Sequence, residues 1–226
     1  MKTWKILEDE QDSNNLKFKD KPIDWNGWTW QDNAIDYLMN HFLYKNQRRT
    51  VLDIGANIGV SSVAFSTRFE NVHSFEMRQD TYNCLKENVS HLENVSTYNV
   101  TLSNDEQELK YHKYLRSGMS KIIENKNEQV QDGFIEENIC KTTRLDTFDF
   151  KNVDFIKIDV EGHENQVLQG SVETIKKYKP LLMIEIFSNR THENFLRRQK
   201  TFKILDDLGY KFKDTRAWDF IFEYNR

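Results

Sequence analysis

The feature that most constrains this chain is the alternation, from Thr50 onward, of short apolar runs with helical patterns. "TVLDI" precedes a helical spacing over Ile58 to Phe69, "VHSFE" precedes a helix through "QDTYNCLKENVSHL", and "VSTYNV" follows. "VDFIKIDV" is a continuous strand, and "HENQVLQGSVETIKKY" predicts one helix with Val167, Leu168, Val172 and Ile175 on a single face. Pro180 stops that helix because it cannot continue the hydrogen-bond ladder. "LLMIEIF", a helix over "HENFLRRQKTFKILDDLG", and the pair "YKFKDT" and "WDFIFEY" close the chain. Strands alternating with helices of this length predict an α/β fold, a doubly wound and mainly parallel sheet covered on both faces. The last two apolar runs have no helix between them and predict a C-terminal antiparallel hairpin.

Two regions fall outside this rhythm. Residues 1–49 carry the aromatic patch "DWNGWTWQDNAIDYLMNHF", which suits either a helical segment capping the sheet or a cover over a ligand site. Ser103–Asn104–Asp105 has turn composition, and Leu109, Tyr111 and Lys113 alternate as in a returning strand. Residues 116–139 are polar and poorly periodic, so they are expected to form a loop insertion, and a loop of that length is a candidate substrate-side lid.

Bulk properties exclude several classes. Charged residues make up 30% of the 226-residue chain, with 32 basic and 36 acidic side chains giving a net charge of −4. That balance offers no electrostatic footprint for nucleic acid or an anionic membrane, so neither is expected as a partner. Cys84 and Cys140 lack metal-ligand spacing and are too few for a disulfide framework. No apolar run approaches the roughly 20 residues that span a bilayer. The start "MKTWKILEDEQD" turns acidic too soon for a signal peptide, so a cytoplasmic location is expected.

The glycine loop in "TVLDIGANIGVSS" narrows the ligand. A phosphate-binding Walker loop needs G-x-x-x-x-G-K-[S/T], whereas Gly55 and Gly59 are separated by three residues and no lysine follows. A dinucleotide fingerprint needs glycines where Asn57 and Val60 stand, which disfavours NAD and FAD. Asp53 beside the loop would repel a phosphate but suits an ammonium. Glu76 ends the second strand, where a carboxylate can accept from both ribose hydroxyls. A ribose and an ammonium without phosphate describe S-adenosylmethionine.

These residues carry a recognisable pattern. "VLDIGANIG", "VHSFEM", "TLSND", "TTRLDTF" and above all "VDFIKIDVEGHENQVLQG" followed by "KPLLMIEI" resemble the FkbM-type family of class I S-adenosylmethionine-dependent methyltransferases. The resemblance implies a Rossmann-like seven-stranded sheet over residues 50–226 and hydroxyl groups of sugars or secondary metabolites as acceptors. It implies that Asp53, Gly55, Asn57 and Gly59 surround the methionine part of the cofactor. Glu76 would hold the ribose, and Met77, Leu102 and Ser103 would lie near the adenine. "SGMS" (Ser117 to Ser120) loosely matches a family segment near the cofactor.

Ligands in open parallel sheets lie at the carboxyl ends of strands, which brings Asp159, Glu161 and His163 of "IDVEGHE" to the reaction side. An alcohol acceptor must lose a proton, and His163, with an ordinary pKa of about 6.5, is the candidate base. Glu161 or Asp159 could take the proton instead, and His163 could be an ordinary first-turn residue. Glu185 and His192 are similarly placed near the next strand. Hard oxygen ligands there are compatible with magnesium, but no metal is assigned. The leading reading is O-methylation of a sugar or small metabolite. Its rivals are methylation of nitrogen or nucleic acid, against which stands the lack of an N/D-P-P-Y/F sequence, and a scaffold that binds cofactor without chemistry.

Overall fold

The computed structural model describes residues 2–23, 30–44, 47–123, 130–187, 191–216 and 218–225. The expected lid therefore lies partly outside the described residues, at 124–129, as does the aromatic stretch 24–29. Seven strands form the main sheet: β1 (Thr50–Ile54), β2 (Asn71–Phe75), β3 (Val95–Tyr98), β8 (Val153–Ile158), β9 (Leu181–Glu185), β10 (Tyr210–Arg216) and β11 (Asp219–Tyr224). Their order is β10-β11-β9-β8-β1-β2-β3. Pairing is parallel from β3 through β9, while β10 and β11 form the antiparallel terminal hairpin, with β11 antiparallel to β9.

Every residue of β1 and β8 is buried. Helices cover both faces, so these strands read as apolar runs rather than as period-2 alternations. On one face Val51, Phe155, Met183 and Ile221 pack with Phe65 of α3 (Val60–Ser66) and with Ile35 and Leu38 of α2 (Trp30–His41). On the other, Leu52, Ile156, Leu182 and Phe222 meet α5 (Glu164–Gln169), α6 (Val172–Tyr178) and α7 (His192–Asp207) through Val167, Leu168, Ile175 and Leu205. Fully burying one such aliphatic or aromatic side chain is worth about 1.5–3 kcal/mol, so these two layers dominate the cohesion of the sheet.

The single helix expected over 163–178 is two. It breaks at Gly170–Ser171, where a Cβ on Gly170 would lie 1.9 Å from the Ser103 carbonyl oxygen. Close approach of the loop after β4 (Thr101–Leu102) thus demands glycine and interrupts the helix.

The loop expected over 116–139 also needs correction. Lys121–Ile122 is strand β6, and Phe134–Thr143 is strand β7, paired antiparallel with β5 (Glu108–Tyr114). With β4 they form a second sheet in the order β4-β7-β5-β6. β7 is exposed along most of its length. With so little of it buried it carries no hydrophobic alternation, which is why its composition resembles a loop.

The first 49 residues do two jobs. α2 caps the main sheet, while residues 2–23 lie against α3 and α4 (Gln79–Val89), with Trp4, Leu7, Phe18 and Ile23 packed on Ile58 and Cys84. Asn88 fastens this strap: its Oδ1 accepts from the Lys5 N–H at 2.7 Å, and its Nδ2 donates to the Lys5 and Ile58 carbonyls. No helix among the described residues is long and apolar enough to cross a membrane.

Candidate active site

The chain runs outward from β1 to β3 and then returns to β8 on the other side of β1. Such a reversal leaves a crevice at the carboxyl ends of the two central strands. Gly55 ends β1 with φ +81°, and a Cβ there would lie 1.7 Å from the backbone oxygen of Asp159. Only glycine lets the two strand ends approach this closely. Gly59, at φ +97°, admits Leu85, whose Cδ1 would sit 2.8 Å from an added Cβ. It therefore serves the contact between α3 and α4.

A cleft of about 360 Å³ opens at this point, within the usual range for a small-molecule site. Ile54, Phe75, Met77, Leu102 and Ile122 supply apolar wall, and Asn57, Glu76, Asp159, Glu161, His163 and Glu185 supply polar groups. Glu76 stands at the end of β2 and accepts the backbone N–H of Asn57 at 3.0 Å and that of Arg78 at 2.9 Å. Burial pushes its carboxyl up to about 7, against the lowering effect of those two N–H donors.

The strap crosses the mouth of the cleft. Glu10 accepts from the Ser117 N–H at 3.2 Å and from Asn15 Nδ2 at 3.0 Å. Asn15 Nδ2 also donates to Ser117 Oγ at 2.8 Å, and Ser117 Oγ donates to Asn57 Oδ1 at 3.0 Å. The glycine loop, the strap and the Ser117–Ser120 segment are thus joined by side chains far apart in sequence. Gly118 lets Asp12 of the strap come close: an added Cβ would lie 2.9 Å from Asp12 Oδ2, so that side chain would have to shift. Arg78, almost fully buried, grips the same segment: its guanidinium pairs with Asp80 at 2.6 Å and donates to the Tyr114 carbonyl at 2.7 Å and Ser120 Oγ at 3.2 Å.

Acidic groups gather on the floor. Oxygens of Asp159, Glu161 and Glu185 lie within 4.8 Å of one another. Glu161 adopts φ +54° ahead of Gly162 at φ +103°. That φ strains any residue with a side chain, and a Cβ on Gly162 would also press on the Arg197 guanidinium at 2.5 Å, so the turn favours glycine. Lys157, buried beneath, donates to Asp159 Oδ2 at 2.9 Å and lies 3.9 Å from Asp53 Oδ1. Burial alone would depress the lysine pKa, but Asp159 and Asp53 outweigh it and hold it above its ordinary value. Burial likewise opposes ionisation of Asp159, yet Lys157 keeps that carboxyl below its ordinary value. Glu161 and Glu185 are pushed well above the carboxylate range by burial and then by Asp159.

Of the residues singled out from sequence, Gly55, Asn57, Glu76, Met77, Leu102, Asp159, Glu161 and His163 line the cleft together. Asp53, Gly59 and Ser103 stand behind its wall. Asp53 is fully buried and accepts from Ser61 Oγ and Ser62 Oγ, each at 2.7 Å, which ties β1 to the first turn of α3. Ser103 Oγ lies 3.0 Å from His163 Nε2, so the imidazole is oriented by the loop after β4. His192 is exposed at the start of α7 and lies outside the cleft lining. Sequence reasoning missed Glu10, Asn15, Arg78 and Lys157. Only Lys157, a lysine inside an otherwise apolar strand, left a local signal.

The Methyltransferase FkbM domain family matches residues 53–219. Among solved structures, the chain is similar to methyltransferase FkbM from Methylobacillus flagellatus KT, with 18% identity and a TM-score of 0.54. That likeness covers 79% of this chain and 44% of that one, so the matched part spans less than half of the Methylobacillus protein. It is also similar to a Staphylococcus aureus protein provisionally assigned as a caffeoyl-CoA O-methyltransferase, with 15% identity, a TM-score of 0.52, and coverage of 88% and 84%. At these identities the likeness extends to the fold. No curated protein matches the sequence.

Proposed function

The chain belongs to the FkbM methyltransferase domain family, and from that premise we propose that it transfers a methyl group from S-adenosylmethionine to a hydroxyl of a sugar or small metabolite. The observation that carries this reading is the pairing of Glu76 with the glycine loop across one cleft. A carboxylate at the end of β2, an apolar wall of Phe75, Leu102 and Ile122, and acids at the floor match a ribose, an adenine and a cationic methionine end in turn.

When bound, S-adenosylmethionine supplies an electrophilic methyl on a sulfonium. The protein's own task is positioning, because in-line displacement gains most of its rate from holding the reacting atoms together. Glu76 would accept hydrogen bonds from the ribose hydroxyls. Asn57 and Ser117 would close over the methionine end, and the strap would exclude water from it. The acceptor's proton falls to the acidic floor. Glu161 is the better base there, because His163 Nε2 is engaged by Ser103 and a raised carboxyl pKa strengthens a base. The acceptor is a small molecule rather than nucleic acid, in keeping with the acidic charge balance.

The test has two parts. Calorimetric titration with S-adenosylhomocysteine and with NAD should show binding of the first and none of the second. Methyl-labelled S-adenosylmethionine should then label hydroxyl-bearing sugars or metabolites in an extract. Label entering only RNA or amines would replace the acceptor class, and binding of NAD alone would overturn the cofactor.

A further inference from the structure

We infer that Lys17 and Arg116 form an anion-receiving rim at the mouth of the cleft, and that the methyl acceptor carries a phosphate or carboxylate beside its hydroxyl. The inference deepens the methyltransferase reading and rests on it for what becomes of the hydroxyl.

Apart from the His163 imidazole, Lys17 and Arg116 are the only cationic side chains among the described residues that line the cleft. The strap brings them to one rim. The Gln11 N–H donates to the Leu115 carbonyl at 3.2 Å, and Asn15 Nδ2 donates to Ser117 Oγ at 2.8 Å, so the segments carrying the two cations are bonded across the mouth. Among the described residues neither side chain has a salt-bridge or hydrogen-bond partner. The cations around them are taken: Arg78 by Asp80, Lys157 by Asp159 and Arg197 by Glu193.

Burial separates this rim from the cofactor's share of the cleft. Asn15 and Ser117 are buried, and Ser117 Oγ donates to Asn57 of the glycine loop. That buried pair covers the methionine end. Lys17 and Arg116 are exposed, so they meet a molecule that arrives from solvent after the cofactor.

Charge then sets the direction in which such a molecule lies. Asp159, Glu161 and Glu185 stand on the floor, and Asp159 is held ionised by Lys157. An anionic group placed there would face like charge, whereas at the rim it faces Lys17 and Arg116. An acceptor with one acidic group is thereby turned with its hydroxyl toward the floor and the methyl. The Arg116 guanidinium offers the planar fork that fits a carboxylate or phosphate, and Lys17 adds a point charge. The net charge of −4 repels an anionic metabolite at long range, and two unpaired cations at the entrance reverse that field locally.

The experiment is calorimetric titration of the full chain with inorganic phosphate, glucose 6-phosphate, glucuronate and glucose, with and without S-adenosylhomocysteine, for wild type, K17M and R116M. Both positions are exposed, so neither substitution removes buried packing. The anionic probes should bind wild type, and each variant should bind them roughly tenfold more weakly through loss of one charge-assisted contact. Affinity for S-adenosylhomocysteine should stay unchanged, which also certifies the fold of each variant. Tighter binding of glucose 6-phosphate than of glucuronate would assign a phosphate to the acceptor, and the reverse order a carboxylate. If wild type holds S-adenosylhomocysteine but binds no anionic probe, the rim is overturned. Anion binding that both variants retain, or glucose binding as tight as that of the charged sugars, would overturn it as well. Variants that lose S-adenosylhomocysteine but keep 5′-methylthioadenosine, which lacks the amino-acid end, would assign the cations to the cofactor's carboxylate and sink the acidic acceptor. Variant-sensitive anion binding by a wild type that binds no S-adenosylhomocysteine would sustain the rim and sink the methyltransferase reading.

Discussion

Glu76 reaches back from the end of β2 to accept the N–H of Asn57, and by that one bond the strand-end acid fixes the tip of the glycine loop. Asn57 sits at φ +51°, a conformation that a non-glycine residue holds only when its surroundings enforce it. Glu76→Ala therefore loses more than a ligand contact. Cofactor affinity should fall by roughly 1.5–3 kcal/mol for each charge-assisted hydrogen bond removed. Glu76→Gln, which keeps one acceptor oxygen, should lose less. Calorimetry on both variants checks this, and unchanged affinity in both would mean that the carboxylate does not hold the ribose.

The same residue predicts two opposite pH dependences. Its carboxyl is raised from 4.5 to about 7, so the ligand-free folded state binds the proton more tightly than the unfolded state. Stability then falls as pH rises between those values, by at most about 3 kcal/mol, and is flat above. Cofactor binding needs the ionised acceptor, so affinity should rise up to about tenfold per pH unit below 7 and level off above it. Denaturant unfolding at pH 5, 6 and 7 should show a shallower decline for Glu76→Gln than for wild type. Parallel slopes would remove Glu76 as the source.

Asn15 ties the strap to the glycine loop through Ser117. Asn15→Ala removes its donations to Ser117 Oγ and Glu10, each worth about 1 kcal/mol. The strap covers the cleft mouth without forming its floor, so the cost should appear in release of the cofactor. Stopped-flow measurements should show dissociation of S-adenosylhomocysteine accelerated by roughly 5- to 30-fold, following from those two bonds, with little change in association. A change confined to association would argue that the strap gates entry instead.

How much of this was legible depends on the reach of each interaction. The main sheet was readable because β1, β8 and β9 are buried on both faces and their apolar runs are continuous. Gly55 and Glu76 were readable because a sharp turn and a strand-end acid leave local marks. β7 was not, because an exposed strand carries no hydrophobic pattern. The break at Gly170 was not, because its cause is the carbonyl of Ser103, remote in the chain. A cover from the first 49 residues is one of the two roles their composition suits, but its contacts were invisible for the same reason: Asn15 and Ser117 meet only once two sheets and α1 (Ser13–Leu16) are assembled. Asp53 shows the converse. Its place in the motif suggests a ligand contact, whereas it is fully buried behind the cleft wall, with Ser61 and Ser62 both donating to its Oδ2.

Lys157 offers the sharpest test of what holds the floor of the site together. It is 2% exposed and stands between Asp53 and Asp159, with Asp219 adding to the field around it. Replacing it with Met keeps much of the volume but leaves these carboxylates without their cation. Breaking one side of a buried ion pair typically costs about 3–5 kcal/mol, because the surviving charge is uncompensated. Lys157→Met should lower the stability by that amount at neutral pH, read from urea denaturation. If uncompensated charge is the cause, Asp159→Asn should recover part of the loss when added to Lys157→Met, while destabilising the wild-type protein. That reversal of sign between the two backgrounds is the diagnostic outcome of the double-mutant cycle. Purely additive effects would instead mean that Lys157 stabilises the floor by packing.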